Sequence, residues 1–238
     1  MVDILAVGAH PDDIEIAIGG TLIKLKKLGY SIAMCHSSNG EPTPHGTPER
    51  RIAEAHAAAE KLGAQLEILD IPNRYFTDTI ENRVKIANVI RKHRPRMLLG
   101  PYPGGDHPDH RMVSHLTDAA RFTAKLTKYD HQGEPWELEP WWAPRQLYYF
   151  LGVRIEEVLP TFIVDITEEY RGKMEVLSCY QSQFNVDMNS LAASDRWGPL
   201  IGKPYGEAFW SRQTIGINDL MGLVMLEGRQ PPSGITCS

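Results

Sequence analysis

The sequence predicts a doubly wound α/β fold: a mostly parallel, Rossmann-like sheet with helices on both faces and a C-terminal cap of short elements. Three observations carry this prediction. Apolar runs of strand length alternate with segments of helical period through residues 1–127, Gly and Pro punctuate the boundaries, and the strand-helix pair recurs four times in succession. That order gives parallel pairing through right-handed crossovers. At 238 residues the chain forms one domain, in which 128–238 adds further strands, a helix and the cap to the core.

The elements follow in order. Ile4 to Gly8 is a short run without a charged residue, as a strand covered on both faces requires. Ile18, Leu22 and Leu25 then recur at helical spacing until Gly29 ends the helix. Ser31 to Ser37 is a second strand, and Ser38 to Gly46 is a loop rich in Gly and Pro. Thr47-Pro48 supplies an N-cap and a first-turn residue for a helix that turns Ile52, Ala55, Ala59 and Leu62 inward and stops at Gly63. Leu66 to Ile71 is a third strand, Ile80, Val84, Ala87 and Ile90 mark a third helix, and Met97 to Leu99 is a fourth strand. A helix with Val113, Leu116 and Ala120 inward runs from Pro108 to about Leu126. Pro135 to Pro144 reads as a loop, Gln146 to Leu151 and Phe162 to Asp165 as strands, and Glu168 to about Tyr180 as a helix. From Gln183 onward Gly, Pro and aromatic residues mix, which predicts short capping elements.

Composition excludes several function classes. A formal charge of −5 and a pI near 6.0, with no run of Lys and Arg, give no footprint for nucleic acid. The apolar stretch at Ile4 to Gly8 is too short for a secretion signal, and no segment has the length of a membrane span. Three cysteines without CxxC spacing fit a reducing compartment, so a cytoplasmic location is expected.

Two tetrads carry the chemistry: His10-Pro11-Asp12-Asp13 and His107-Pro108-Asp109-His110. Each holds metal-ligating residue types three positions apart, a spacing that puts both on one face of a helical turn. Together they offer three histidines and three carboxylates, a set that suits a divalent zinc-like ion with a position left open for water. The tetrads follow the first and fourth strands. In a sheet of order 3-2-1-4-5 those strands are neighbours, and the crevice beyond their carboxyl ends is where such folds bind ligands. A catalytic site needs about three protein ligands, leaving residues for a proton-accepting carboxylate and an imidazole that stabilises or protonates what forms.

These residues also carry a family resemblance. Gly8-Ala9-His10-Pro11-Asp12-Asp13 with Gly19-Gly20-Thr21, followed by the second tetrad, resembles the LmbE-like (PIG-L) zinc-dependent N-acetylglucosamine deacetylases. The similarity extends to Gly46-Thr47-Pro48-Glu49 with Arg51, to Tyr180-Gln181-Ser182-Gln183-Phe184 and to Tyr205-Gly206-Glu207-Ala208-Phe209. The resemblance implies that His10, Asp13 and His110 bind one zinc ion, with Fe2+ or another divalent metal as the alternative. It implies that Asp12 is the general base, that His107, oriented by Asp109, assists at the carbonyl oxygen or the leaving amine, and that Tyr205 polarises the carbonyl. Arg51 matches a position at the substrate pocket and is expected to anchor the part of the substrate beyond the acetamide, favouring an anionic aglycone. Glu41 matches a position at the sugar, and Arg74, after the third strand, is a further substrate contact on the same edge. The implied substrate is an acetylated amino sugar. Within the family the bacillithiol branch, acting on N-acetylglucosaminyl malate, is most similar, although Asp106 stands where that branch has a basic residue. A homo-oligomer, hexamer or trimer, is also implied.

Other candidates read more simply. Trp136, Trp141 and Trp142 and His56 are expected to pack, and His45 lies in a loop on the functional edge. Two other classes remain open: a non-catalytic carbohydrate-binding protein that keeps its metal for stability, and an Fe(II) oxygenase using two histidines and a carboxylate.

Overall fold

A computed structural model describes residues 1–43, 45–128, 136–151, 158–183 and 194–216. The strands β1 (Ile4–Gly8), β2 (Ile32–His36), β3 (Gln65–Ile68) and β4 (Met97–Pro101) alternate with helices α1 (Asp13–Lys27), α2 (Pro48–Leu62), α3 (Ile80–His93) and α4 (Pro108–Thr123). There follow β5 (Arg145–Tyr149), β6 (Phe162–Asp165), α5 (Tyr170–Leu177), the single turn α6 (Ser194–Trp197) and β7 (Gly206–Trp210). The sheet order is β3-β2-β1-β4-β5-β7-β6, parallel from β3 through β5. The predicted 3-2-1-4-5 core is therefore the one observed.

Period-two alternation along β1 divides the interior. Leu5 and Val7 join Ile86, Ile90, Val113 and Leu116 of α3 and α4 on one face. Ile4 and Ala6 join Ile14, Ile18, Leu22, Ala55 and Val176 of α1, α2 and α5 on the other. Thr47 caps α2 through its side chain, accepting from the Arg50 amide, and Gly63 closes it at a φ of 68°, as the punctuation predicted. The tryptophans pack: Trp141 Nε1 donates to the Pro95 carbonyl at 2.9 Å, and Arg91 and Arg121 lie over Trp136 and Trp142 at 3.7 and 3.8 Å from the ring centroids. Among the described residues no helix is long and apolar enough to cross a membrane.

The structure departs from the sequence reading at β7. Residues 206–210, expected in a cap, form a strand inside the main sheet, antiparallel to both β5 and β6. A glycine and a glutamate at its start hide it, because Glu207 is unfavourable in a buried strand unless paired. Its partners are remote in sequence. α1 breaks at Ile18 (φ −138°), and the Gly20 and Thr21 amides beyond the break donate to the two Glu207 oxygens at 2.9 and 2.6 Å. The buried Lys173 ammonium donates to the same carboxylate at 2.8 Å. Gly20 is required there, since a Cβ would stand 2.7 Å from Ile166 Cδ1.

Candidate metal centre and active site

The carboxyl ends of β1 and β4 lie side by side and deliver the two tetrads to one place. After β1 the chain turns sharply at Asp12, whose φ of 108° is a left-handed conformation rarely adopted by residues other than glycine. The turn folds the Asp13 carboxylate back under the preceding peptides, so that Asp13 Oδ2 accepts from the Ala9 and His10 amides, each at 2.9 Å. After β4, His107 caps α4 by accepting at Nδ1 from the Asp109 amide (3.1 Å), which points Asp109 and His110 inward.

His10 Nδ1 is 3.4 Å from Asp13 Oδ2, and His110 Nε2 is 3.2 Å from Asp13 Oδ1. One ligand atom from each of His10, Asp13 and His110 falls within 4.8 Å of the others, and a second group, His10, His107 and Asp109, meets the same condition. A tetrahedral ion with bonds of about 2.0–2.1 Å holds its ligand atoms about 3.4 Å apart, so the first group fits such an ion with little movement. The remaining nitrogen of His10 favours the same choice. His10 Nε2 lies 2.9 Å from Asn73 Oδ1 and 3.1 Å from Asp109 Oδ2, the outer hydrogen bonds that fix a ligating imidazole. This differs from the expected role of Asp109: its carboxylate meets His10 and the Arg74 amide (3.2 Å), and only its backbone meets the His107 ring. The N-cap conformation of His107 keeps that ring on its own helix, while Asp109, further into the turn, reaches across to the β1 side.

The electrostatics follow from this crowding. Burial lowers the pKa of His10, but the Asp13 charge and hydrogen bonds to Asp13 and Asp109 outweigh it and raise it to about 9. Burial opposes charge on Asp13 too, yet the His110 and His10 imidazoles hold it well below the usual carboxylate range. Asp12 goes the other way: burial, then the neighbouring Asp13 charge, push it well above its ordinary value against the pull of Arg51. Partial burial and the adjacent His110 lower that of His107.

A cleft of about 210 Å³ opens over these groups, lined among others by His10, Asp12, Asn73, Arg74, His107 and Gln183. Arg74 is exposed, has a φ of 67°, and its guanidinium makes no hydrogen bond or ion pair among the described residues. Three expected site residues are placed otherwise. Tyr205 is outside the lining, its ring stacked on Tyr170 at 3.6 Å between centroids, because antiparallel insertion of β7 carries it beside α5. Glu41 spends its carboxylate on its own turn, accepting from the Thr43 amide at 2.9 Å and the Thr43 hydroxyl at 3.0 Å. Arg51 reaches the wall of the cleft but is 2 % exposed, with Nη2 donating to the Pro11 carbonyl at 2.8 Å. His56 is exposed on α2 rather than packed, and His45 is exposed in its loop. Sequence reasoning passed over Asn73 and Gln183. Asn73 directly follows a strand on the functional edge, which was its available signal. Gln183 arrives through contacts invisible in sequence: buried Glu54 accepts from the Ser182 amide and hydroxyl, and Gln183 Nε2 donates to the His45 carbonyl at 2.8 Å.

The chain is similar in sequence and fold to known proteins. The family profile described as GlcNAc-PI de-N-acetylase (PIG-L) matches residues 5–121. A conserved protein of Thermus thermophilus, TT1542, superposes with a TM-score of 0.81 at 32% identity, over 92% of this chain and 98% of its own. Diacetylchitobiose deacetylase of Thermococcus kodakarensis is 29% identical over 93% of this chain and 84% of its own. A relative with another reaction, 4-oxalmesaconate hydratase of Pseudomonas putida, is 27% identical over 95% of this chain and 87% of its own.

Proposed function

The chain belongs to the PIG-L, or GlcNAc-PI de-N-acetylase, family, and on that premise we propose that it is a zinc-dependent hydrolase removing the acetyl group from an N-acetylglucosamine-type sugar or conjugate. The observation that carries this reading is the surplus of reactive groups. Asp12 and His107 line the cleft beside His10, Asp13 and His110 without being needed to complete that ligand set. A structural or merely binding metal site has no use for them.

Two imidazoles and one carboxylate suit zinc and would also accept Fe2+. When bound by His10, Asp13 and His110, the ion supplies Lewis acidity that polarises an amide carbonyl and acidifies water. Asp12 accepts the proton of the attacking water, and its raised pKa brings it toward the range in which a general base works at neutral pH. His107 is held in one tautomer. Its Nδ1 accepts from the Asp109 amide, so in the neutral ring the proton sits on Nε2 and is donated toward the carbonyl oxygen or the departing amine. No step in this reading uses Tyr205, whose ring stacks on Tyr170.

Within this class we assign an anionic aglycone, N-acetylglucosaminyl malate, with Arg74 as its partner. An exposed guanidinium without a partner among the described residues suits bidentate contact with a carboxylate, while Asp106, directly before the second tetrad, opposes it. A cytoplasmic homo-oligomer belongs to the same proposal, supported by the free thiols Cys35 and Cys179 and by the family resemblance.

The test is release of free amine by the zinc-loaded protein from N-acetylglucosamine, N,N′-diacetylchitobiose and N-acetylglucosaminyl malate. Cleavage of the malate conjugate ahead of the neutral sugars, with that preference lost in Arg74→Ala, supports the full assignment. Amine release without such a preference keeps the deacetylase and removes the aglycone. Hydration of 4-oxalmesaconate without amine release from any sugar overturns the reading.

A further inference from the structure

We propose that Gln183 is a specificity-determining contact for the substrate, its side-chain oxygen accepting a hydrogen bond from a sugar hydroxyl. The proposal deepens the deacetylase reading and rests on it for the reaction through which it is measured. Gln183 lines the cleft together with His10, Asp12, Arg74 and His107. A glutamine amide has a donor end and an acceptor end, and the neighbours of one end decide which of them a ligand meets. Here Nε2 lies 2.8 Å from the His45 carbonyl oxygen and 3.0 Å from Ser182 Oγ. The carbonyl can only accept. The Ser182 hydroxyl gives its one proton to the buried Glu54 carboxylate, so toward Gln183 its oxygen accepts as well. The amide nitrogen must occupy that side, since the flipped amide would set oxygen against oxygen twice. Both of its N–H bonds are thereby used. Oε1 accepts no hydrogen bond among the described residues and is the polar atom of this side chain left for a ligand.

The chain around Gln183 holds the amide in this orientation. Ser182 is 4 % exposed and is gripped twice by Glu54 of α2, through its amide at 2.8 Å and through its hydroxyl. The Gln183 backbone N–H closes a turn on the Tyr180 carbonyl at 3.0 Å. Gly46 lets the loop that carries His45 come close: its φ is 110°, and a Cβ there would stand 3.3 Å from Ser182 Cβ and Oγ. A helix, a turn and the loop after β2 thus aim one acceptor at the cleft. A fixed acceptor takes a donor and repels a carboxylate, whereas the Arg74 guanidinium offers donors only. The hydroxyl-bearing ring therefore lies toward Gln183 and an anionic aglycone toward Arg74.

The experiment follows amine release by zinc-loaded wild type and Gln183→Met. The substrates are the acetamido sugar that wild type cleaves best and its 3-deoxy, 4-deoxy and 6-deoxy analogues. Methionine keeps the length of the side chain and removes the acceptor. In wild type one analogue should lose about 3- to 10-fold in kcat/KM, mainly through KM, the size expected for one hydrogen bond. Gln183→Met should show that loss on the parent sugar and no further loss on that analogue. A structural defect from losing the link to His45 would lower all four substrates equally, so equal losses overturn the proposal. Unchanged kinetics of Gln183→Met on the parent sugar, or a wild type indifferent to all three deletions, overturn it too. Calorimetric binding of N-acetylglucosamine to both proteins decides without turnover: weaker binding by Gln183→Met supports the contact, and equal affinity overturns it. If wild type binds the sugar and releases no amine, the deacetylase reading fails by itself and the binding comparison still rules on Gln183. If wild type binds no sugar, both readings fall.

Discussion

The Asp109 carboxylate accepts from His10 Nε2 at 3.1 Å, across 99 positions of sequence, so the second tetrad orients a ligand contributed by the first. The two motifs are one site mechanically as well as by proximity. Asp109→Ala should weaken zinc binding about 10- to 100-fold while the fold is kept, since outer partners of a ligating imidazole have effects of that size. Competition with a chromophoric chelator measures this, and unchanged affinity would assign the orientation of His10 to Asn73 alone.

The two histidines of the second tetrad should separate cleanly. His110→Ala is expected to lose the metal, because its Nε2 is one of the three converging ligand atoms, and His107→Ala to keep it while losing activity. Metal analysis of the two purified variants settles the matter. The reverse pattern would move the ion to the group formed by His10, His107 and Asp109.

Asp12→Asn removes the proton acceptor and leaves His10, Asp13 and His110 intact. Activity should fall by about 10² to 10⁴ at full zinc occupancy, the usual range for loss of a general base. A metal-loaded Asp12→Asn that turns over near the normal rate would show that the base lies elsewhere.

Zinc uptake should release a proton at neutral pH. In the metal-free protein His10 holds its proton up to about 9, and a protonated imidazole cannot ligate. Below that pH the apparent affinity should therefore fall about tenfold per unit for this proton. The sign for stability is opposite: the raised pKa contributes to the metal-free fold fully below 6.5 and is lost as pH rises through about 9. Calorimetric titration in buffers of differing ionisation enthalpy counts the protons. No dependence on buffer would contradict the prediction.

Glu207→Gln should destabilise the protein by about 3–5 kcal/mol, because it strips a buried ammonium of the carboxylate that faces it. Lys173→Met combined with Glu207→Gln should recover part of this loss. Urea unfolding of the wild type and the two variants gives the values, and a change under about 1 kcal/mol in the single variant would mean that the pair is not a structural anchor.

Where a property depended on neighbours in the chain, the sequence was legible. The Ile4–Gly8 strand, the Thr47 cap and Gly63 stop of α2, and the meeting of the two tetrads beyond β1 and β4 all follow from period, punctuation and topology. Where it depended on remote partners, it was not. Glu207 is acceptable in a strand only because α1 breaks opposite it. Arg51 is buried only because Gly40 leaves room. Tyr205 follows β7 away from the cleft, so a strand not seen in the sequence also misplaced a residue. The bond from Asp109 to His10 has no sequence signature, since either histidine of the second tetrad was an equally near partner.

The place of β7 also dictates an order of assembly. Synthesis from the N-terminus completes the metal ligands, all five parallel strands of the core and β6 well before the strand that joins β6 to β5. A nascent chain at that stage already brings His10, Asp13 and His110 within reach of one another, yet leaves the edge of β5 unpaired and β6 without a strand partner. Open edges accept any strand that fits. The segment Gly206–Trp210 from another copy fits as well as the chain's own, so the last step of maturation is also the step most exposed to exchange between molecules.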